Sequence, residues 1–150
     1  MTVTKIFFTG TPEGPPEKKE GELIISTATT GGMYYPIGVG MASLWSIKLA
    51  SAHGIQVQAI TSAGSGENIN ILKGKEAGLA ILQGLFGKMA WNCIGIYDKP
   101  YKELRTITML WPNVEHFVII DDKVKTDTVT DIKGLKFSIG RAGSGTERSG

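Results

Sequence analysis

Three observations predict an α/β fold with a parallel-rich sheet and flanking helices. Short β-prone apolar runs alternate with helix-periodic segments. Each strand-like run ends in a cluster of Gly, Ser and Thr, and a helix pattern begins at that cluster. The unit appears first at residues 23–50, again at 55–74, and a third copy opens at residue 135. Helices that connect successive strands oblige those strands to run parallel. In such sheets ligands bind beyond the carboxyl ends of the strands, where these corners collect.

The first unit starts with the apolar run Leu23-Ile24-Ile25-Ser26-Thr27-Ala28. It passes into Thr29-Thr30-Gly31-Gly32-Met33-Tyr34-Tyr35-Pro36, where the threonines are candidate caps and the glycines permit a tight turn. Pro36 suits a first helical turn. A helix over 34–50 places Ile37, Met41, Leu44 and Trp45 along one face, with Gly38 and Gly40 letting it lie close to the sheet. Tyr34 and Tyr35 fall on different faces. The second unit has an alternating strand over 55–61 and a corner, Ser62-Ala63-Gly64-Ser65-Gly66-Glu67-Asn68, in which Ser65 is the expected N-cap. Glu67 and Asn68 then read as solvated first-turn residues of a helix over 66–74, with Asn68 in a weak capping-box position. A third strand over 78–83 and a helix over 85–93 follow.

Beyond residue 100 the pattern changes. Residues 104–110 and 116–121 read as two strands on either side of Trp111-Pro112-Asn113. A turn or short helix at 129–134 precedes a strand at 135–139. That strand runs into Gly140-Arg141-Ala142-Gly143-Ser144-Gly145-Thr146-Glu147. A helix is due where the chain stops, so the sequence reads as a piece whose second half lies outside it.

Composition narrows the function classes. The formal net charge is +2 and the cations are scattered, which gives no basic patch for a nucleic-acid partner. A single cysteine, Cys93, excludes an internal disulfide and reads as a small buried hydrophobe. No apolar run approaches the roughly 20 residues of a membrane helix. Residues 1–21 read as a flexible leader rich in Pro, Gly, Glu and Lys. They do not resemble a signal peptide, so an exported form would carry its signal elsewhere. His53 reads as a helix-end residue, His116 as structural, and Asp121-Asp122 as a strand-to-loop cap. No cofactor and no metal are expected. The corners present backbone N–H groups and hydroxyls at helix starts, which favour a carboxylate or phosphate.

Four segments, in order, resemble the TAXI family of TRAP-transporter solute receptors. They are Thr30-Gly31-Gly32-Met33-Tyr34-Tyr35-Pro36-Ile37-Gly38, Gly64-Ser65-Gly66-Glu67-Asn68-Ile69, and Gly74-Lys75-Glu76-Ala77-Gly78-Leu79-Ala80-Ile81-Leu82-Gln83. The last is Val129-Thr130-Asp131-Ile132-Lys133-Gly134-Leu135-Lys136-Phe137-Ser138-Ile139-Gly140 with Gly143-Ser144-Gly145-Thr146. The sequence departs from the family pattern at Ala28 and at Gly84-Leu85, both flanking the expected pocket. The resemblance implies a type II periplasmic-binding-protein-like fold, with a first lobe over 22–124 and the start of a second lobe over 125–150. It also implies a periplasmic or extracytoplasmic receptor without catalytic activity, which captures a small carboxylate such as glutamate or a dicarboxylate and hands it to the membrane subunits of a TRAP transporter.

On that resemblance Thr30, Gly31, Gly32, Tyr34, Ser65, Asn68 and Gln83 would hold the ligand from the first lobe. Arg141, Ser144, Gly145 and Thr146 would close from the second. Closure needs both lobes, so this chain alone is expected to bind more weakly than the roughly micromolar affinity common for such clefts. The alternative is a phosphate- or nucleotide-binding enzyme on a similar sheet. It lacks both the Lys-Ser/Thr ending of a P-loop and a G-x-G-x-x-G turn with its following acid. A transcription regulator's effector domain would need a helix-turn-helix, which residues 1–21 cannot form.

Overall fold

A computed structural model of the protein describes residues 21–112, 114 and 116–149. The expected leader therefore lies outside the described residues, Gly21 excepted. Three parallel strands form a sheet in the order β2-β1-β3: β1 (Glu22–Ser26), β2 (Gln56–Ile60) and β3 (Leu79–Ala80). Helices α1 (Tyr34–His53) and α2 (Ser65–Lys73) connect them, and α3 (Gly84–Asn92) follows β3. The chain steps from β1 outward to β2 and then crosses to the other side of β1. The direction of winding thus reverses at the carboxyl end of β1, which is where ligands collect in open sheets.

The period of two along each strand sorts side chains into two layers. Ile25 and Val57 point towards α1 and pack with Ala42 and Ile81, supported by Met41, Trp45 and Leu49. On the other face, Ile69 of α2 and Phe86 and Ala90 of α3 form a second cluster with Tyr97. The α1 contact differs from the apolar stripe expected of it. Met41 and Trp45 do pack on the sheet, but Ile37 and Leu44 are exposed, and the buried positions are Gly38 and Ala42. Small residues one turn apart set this approach. A Cβ at Gly38 would collide with Thr27 Cγ2, whereas Gly40 has open space around it. Only Gly38 therefore serves the close packing.

Beyond α3, the expected strands over 104–110, 116–121 and 135–139 do not form among the described residues, and the third strand shortens to β3. A strand needs a partner as well as propensity. Met109 and Val118 are each 88% exposed, so no neighbouring strand covers them. Phe117 and Phe137 stack with centroids 6.1 Å apart, which brings two of these segments side by side. Asp121-Asp122 opens a single 3-10 turn, Asp121–Lys123, rather than ending a strand. Cys93 caps α3 in the left-handed region (φ 55°) and is half-buried, with Sγ 3.2 Å from the Tyr97 carbonyl. It is a helix terminator, not a core residue.

The turn before residue 135 is built on Asp131. Its carboxylate accepts from Thr126 Oγ1 at 2.6 Å and from the Thr126 and Lys125 N–H groups at 2.8 and 2.9 Å. These donors favour the ionised form and lower its pKa from 3.8 to about 2.

Two outcomes follow from this packing. Gly38→Ala lowers stability by roughly 1–3 kcal/mol through overpacking against Thr27, despite Ala's helix-propensity advantage of about 1 kcal/mol. Thermal and urea unfolding measure it. Because the folded pKa of Asp131 is depressed, its contribution to the turn is complete above about pH 4 and is lost as pH falls through about 2. The Thr126 amide resonance should titrate with its midpoint near the lower value.

Candidate functional site

A cavity of about 320 Å³ lies at the carboxyl end of the sheet. It is lined by Ala28, Thr29, Gly32, Met33 and Tyr34 from the first corner and by Ala63, Gly64 and Ser65 from the second. Trp111, Arg141, Ser144, Gly145 and Thr146 complete it. The starts of α1 and α2 both open onto this space, so the positive ends of two helix dipoles face it, with the Glu67 carboxylate bonded to Ala63 N–H at the α2 start. Arg141 is exposed and is the only Lys, Arg, Asp or Glu in the lining.

The first corner differs from expectation in detail. Gly32 N–H donates to Thr29 O at 2.9 Å, closing a turn. Met33 takes the N-cap position of α1 without any side-chain cap. Thr29 and Gly32 reach the cavity, while Thr30 and Gly31 are exposed outside the lining. Tyr34 lines the cavity and packs on the α1 core, with its ring edge-on to Trp111 at 5.8 Å and 64°. The sequence places Trp111 only between two expected strands. Its aromatic character was the available signal, but its contact with Tyr34 is set by the fold.

In the second corner, Ser65 is not the cap. Gly64 holds that place with φ 122° and ψ −152°, a region essentially confined to glycine, and α2 starts at Ser65. The cap bonds come from neighbours: Gly64 N–H donates to Ser62 Oγ at 2.9 Å, and Ala63 N–H donates to the Glu67 carboxylate. Ser65 Oγ accepts instead from Gln83 N–H at 3.0 Å, tying the end of β3's extension to α2.

Asn68 is completely buried rather than solvated. Its Nδ2 donates to Thr27 O and Ile81 O, each at 2.7 Å. Its Oδ1 accepts from Ser26 Oγ at 2.6 Å and from Ser62 Oγ at 2.7 Å. Both donors and both lone pairs of the amide are thus in use. Asn68 stands behind the cavity and positions its floor.

The third corner docks directly on the second. Gly66 N–H donates to Gly143 O at 3.2 Å, so this first-turn amide of α2 is engaged by protein. A Cβ at Gly66 would come within 2.9 Å of Gly143 O, and one at Gly145 within 2.6 Å of Gln83 Cδ. Gln83 therefore lies beneath Gly145 rather than in the lining. Its Oε1 is buried without a hydrogen bond. Ser144, Gly145 and Thr146 do reach the cavity, where the short helix α4 (Thr146–Ser149) begins.

A second cavity, of about 360 Å³, opens between residues 116–118 and 136–139. Its walls are mainly residues 116–118 and 136–139, including the stacked Phe117 and Phe137, and Thr146 is the one corner residue in its lining. The strand-end cavity is the better candidate. Among the described residues, no group of three or more His, Cys, Asp or Glu could hold a metal ion. No described helix is long and apolar enough to cross a membrane.

A parallel sheet flanked by helices, with a cavity at its switch point, defines a lobe of the kind seen in type II periplasmic-binding proteins. This is a solute-binding-protein-like fold. The chain belongs to the NMT1-like family, which it matches over residues 25–150. That family is a non-catalytic, solute-binding one related to the TRAP-transporter receptors.

Removing the Asn68 amide tests the positioning role. Asn68→Ala strands Ile81 O and Ser26 Oγ, each costing about 1–3 kcal/mol if left unpaired, and weakens the Thr27–Ser62 junction. Stability should fall by roughly 3 kcal/mol or more, measured by urea unfolding. Asn68→Asp should fare little better, because a carboxylate cannot donate to Thr27 O or Ile81 O.

Proposed function

We infer that this chain forms the ligand-capturing part of an extracytoplasmic receptor for a TRAP-type transporter, close to the TAXI group, and that its cavity takes the carboxylate of a small solute. The observation that carries this reading is the lone cation. Arg141 faces a cavity with no acidic side chain, beside the amide-bearing starts of two helices. An anion there gains a bidentate partner and two helix dipoles, with no carboxylate in the lining to oppose it. The volume suits a small organic acid.

In this mechanism no bond is made or broken. The first-corner groups at Thr29, Gly32 and Tyr34 receive the solute, with Thr30 and Gly31 flanking its entry. Ser65 forms the far wall, braced by Gln83 and Asn68. Arg141, Ser144, Gly145 and Thr146 close over the carboxylate, and the closed form is recognised by the membrane subunits of the transporter.

Thermal-shift and calorimetric titration with glutamate, succinate, 2-oxoglutarate and glucose 6-phosphate test this. A carboxylate at a hundred times its Kd should stabilise the protein by about 2.7 kcal/mol. Arg141→Gln should weaken binding roughly ten- to hundredfold without lowering the ligand-free Tm. Stabilisation by the sugar phosphate alone would reject the receptor reading in favour of a phosphate-binding enzyme.

A further inference from the structure

The far end of α3 carries a surface distinct from the cavity. Trp91 lies in the last turn of that helix, about 10 Å along the axis from its start at Gly84, and it is 38% exposed. The chain after Cys93 folds back on the helix, held by Tyr101 N–H donating to Ala90 O at 2.8 Å. That return brings two cations onto one ring. Lys102 Nζ is 4.7 Å from the Trp91 centroid and the Arg105 guanidinium carbon is 5.6 Å from it.

Neither cation is ion-paired among the described residues, although Glu103 lies between them in sequence. Two like charges beside one ring raise each other's energy, and an anion that pairs with them relieves it. Arg105 is also held in place: Nη1 donates to the carbonyls of Lys102 at 2.6 Å and Leu104 at 2.9 Å. A fixed guanidinium is a directional partner for a carboxylate. Trp and Arg are also the residue types that most often carry binding energy at protein interfaces.

We propose that Trp91, Lys102 and Arg105 form a docking surface for an acidic segment of a partner protein. Carboxylates of the partner lie between the two cations, and the indole is the apolar floor beneath them. A lipid surface fits this geometry less well. A membrane-anchoring Trp presents a bare ring, whereas cations cover this one, and Arg105 is tied to carbonyls rather than free to extend.

The test is fluorescence anisotropy with a labelled oligoglutamate peptide at about 20 mM and about 150 mM salt. Lys102→Glu combined with Arg105→Glu should weaken binding roughly tenfold or more, and Trp91→Ala roughly threefold. Lys48→Glu combined with Lys125→Glu, exposed lysines elsewhere, should change it less than about twofold. Circular dichroism checks that each variant is folded, and the charge-reversal pair keeps the test valid if Trp91→Ala is not. Equal losses in the control pair would overturn the proposal in favour of diffuse charge attraction. So would peptide-independent co-sedimentation with phosphatidylcholine vesicles containing about one-third phosphatidylserine, abolished by the Lys102 and Arg105 changes.

Discussion

One buried amide holds the site together. Asn68 comes from the first turn of α2, yet its side chain bonds the end of β1, the segment after β2 and the segment after β3. A primary amide has two donors and two acceptor positions, and here each meets a protein group, in buried surroundings except at half-buried Ser62. The cavity lining begins one residue after Thr27 and one after Ser62. Spacing across the cavity floor is therefore fixed by a single side chain, and neighbouring contacts inherit that geometry. Ser62 illustrates this: the hydroxyl that meets Asn68 also receives Gly64 N–H at the turn into α2.

The two helical layers serve the same end by different means. On the α1 side, the close approach at Gly38 and Ala42 brings the helix start down to the strand ends, so that Tyr34 can reach both the core and the cavity. On the other side, the Phe86 cluster anchors α3 beneath Gln83, and Gln83 N–H in turn holds Ser65. Packing on each face thus places helix starts at one shared opening. Helix starts and Arg141 converge there, while the nearest acids, Glu67 and Glu147, lie outside the lining and bond the corner amides of Ala63 and Gly143.

Much of this was legible in the sequence. Apolar runs and Gly-rich corners located β1, α1, β2, α2 and α3, because those features act locally. What escaped was non-local. Ser65 looks like a cap in sequence, but its partner is Gln83, brought near by the β3 crossover. Asn68 looks like a solvated first-turn residue, and only the meeting of three strand ends explains its burial. Gly38 and Ala42 carry little hydrophobic signal, so the buried face of α1 was drawn through larger neighbours. β-propensity over 104–110, 116–121 and 135–139 pointed to strands that do not form among the described residues, because propensity cannot supply partner strands. Ser144, Gly145, Thr146 and Arg141 share one cavity lining with residues of the first two corners.

The docking of the third corner on the second is written in main chain. A peptide N–H meets a peptide carbonyl at Gly66 and Gly143, and the closest approaches fall where side chains are absent. Arg141 and Ser144, beside this contact, take no part in the Gly66–Gly143 bond. Descendants of this sequence could therefore exchange those residues and acquire new solute preferences while inheriting the same seam unchanged. Recognition can drift here without the architecture having to follow.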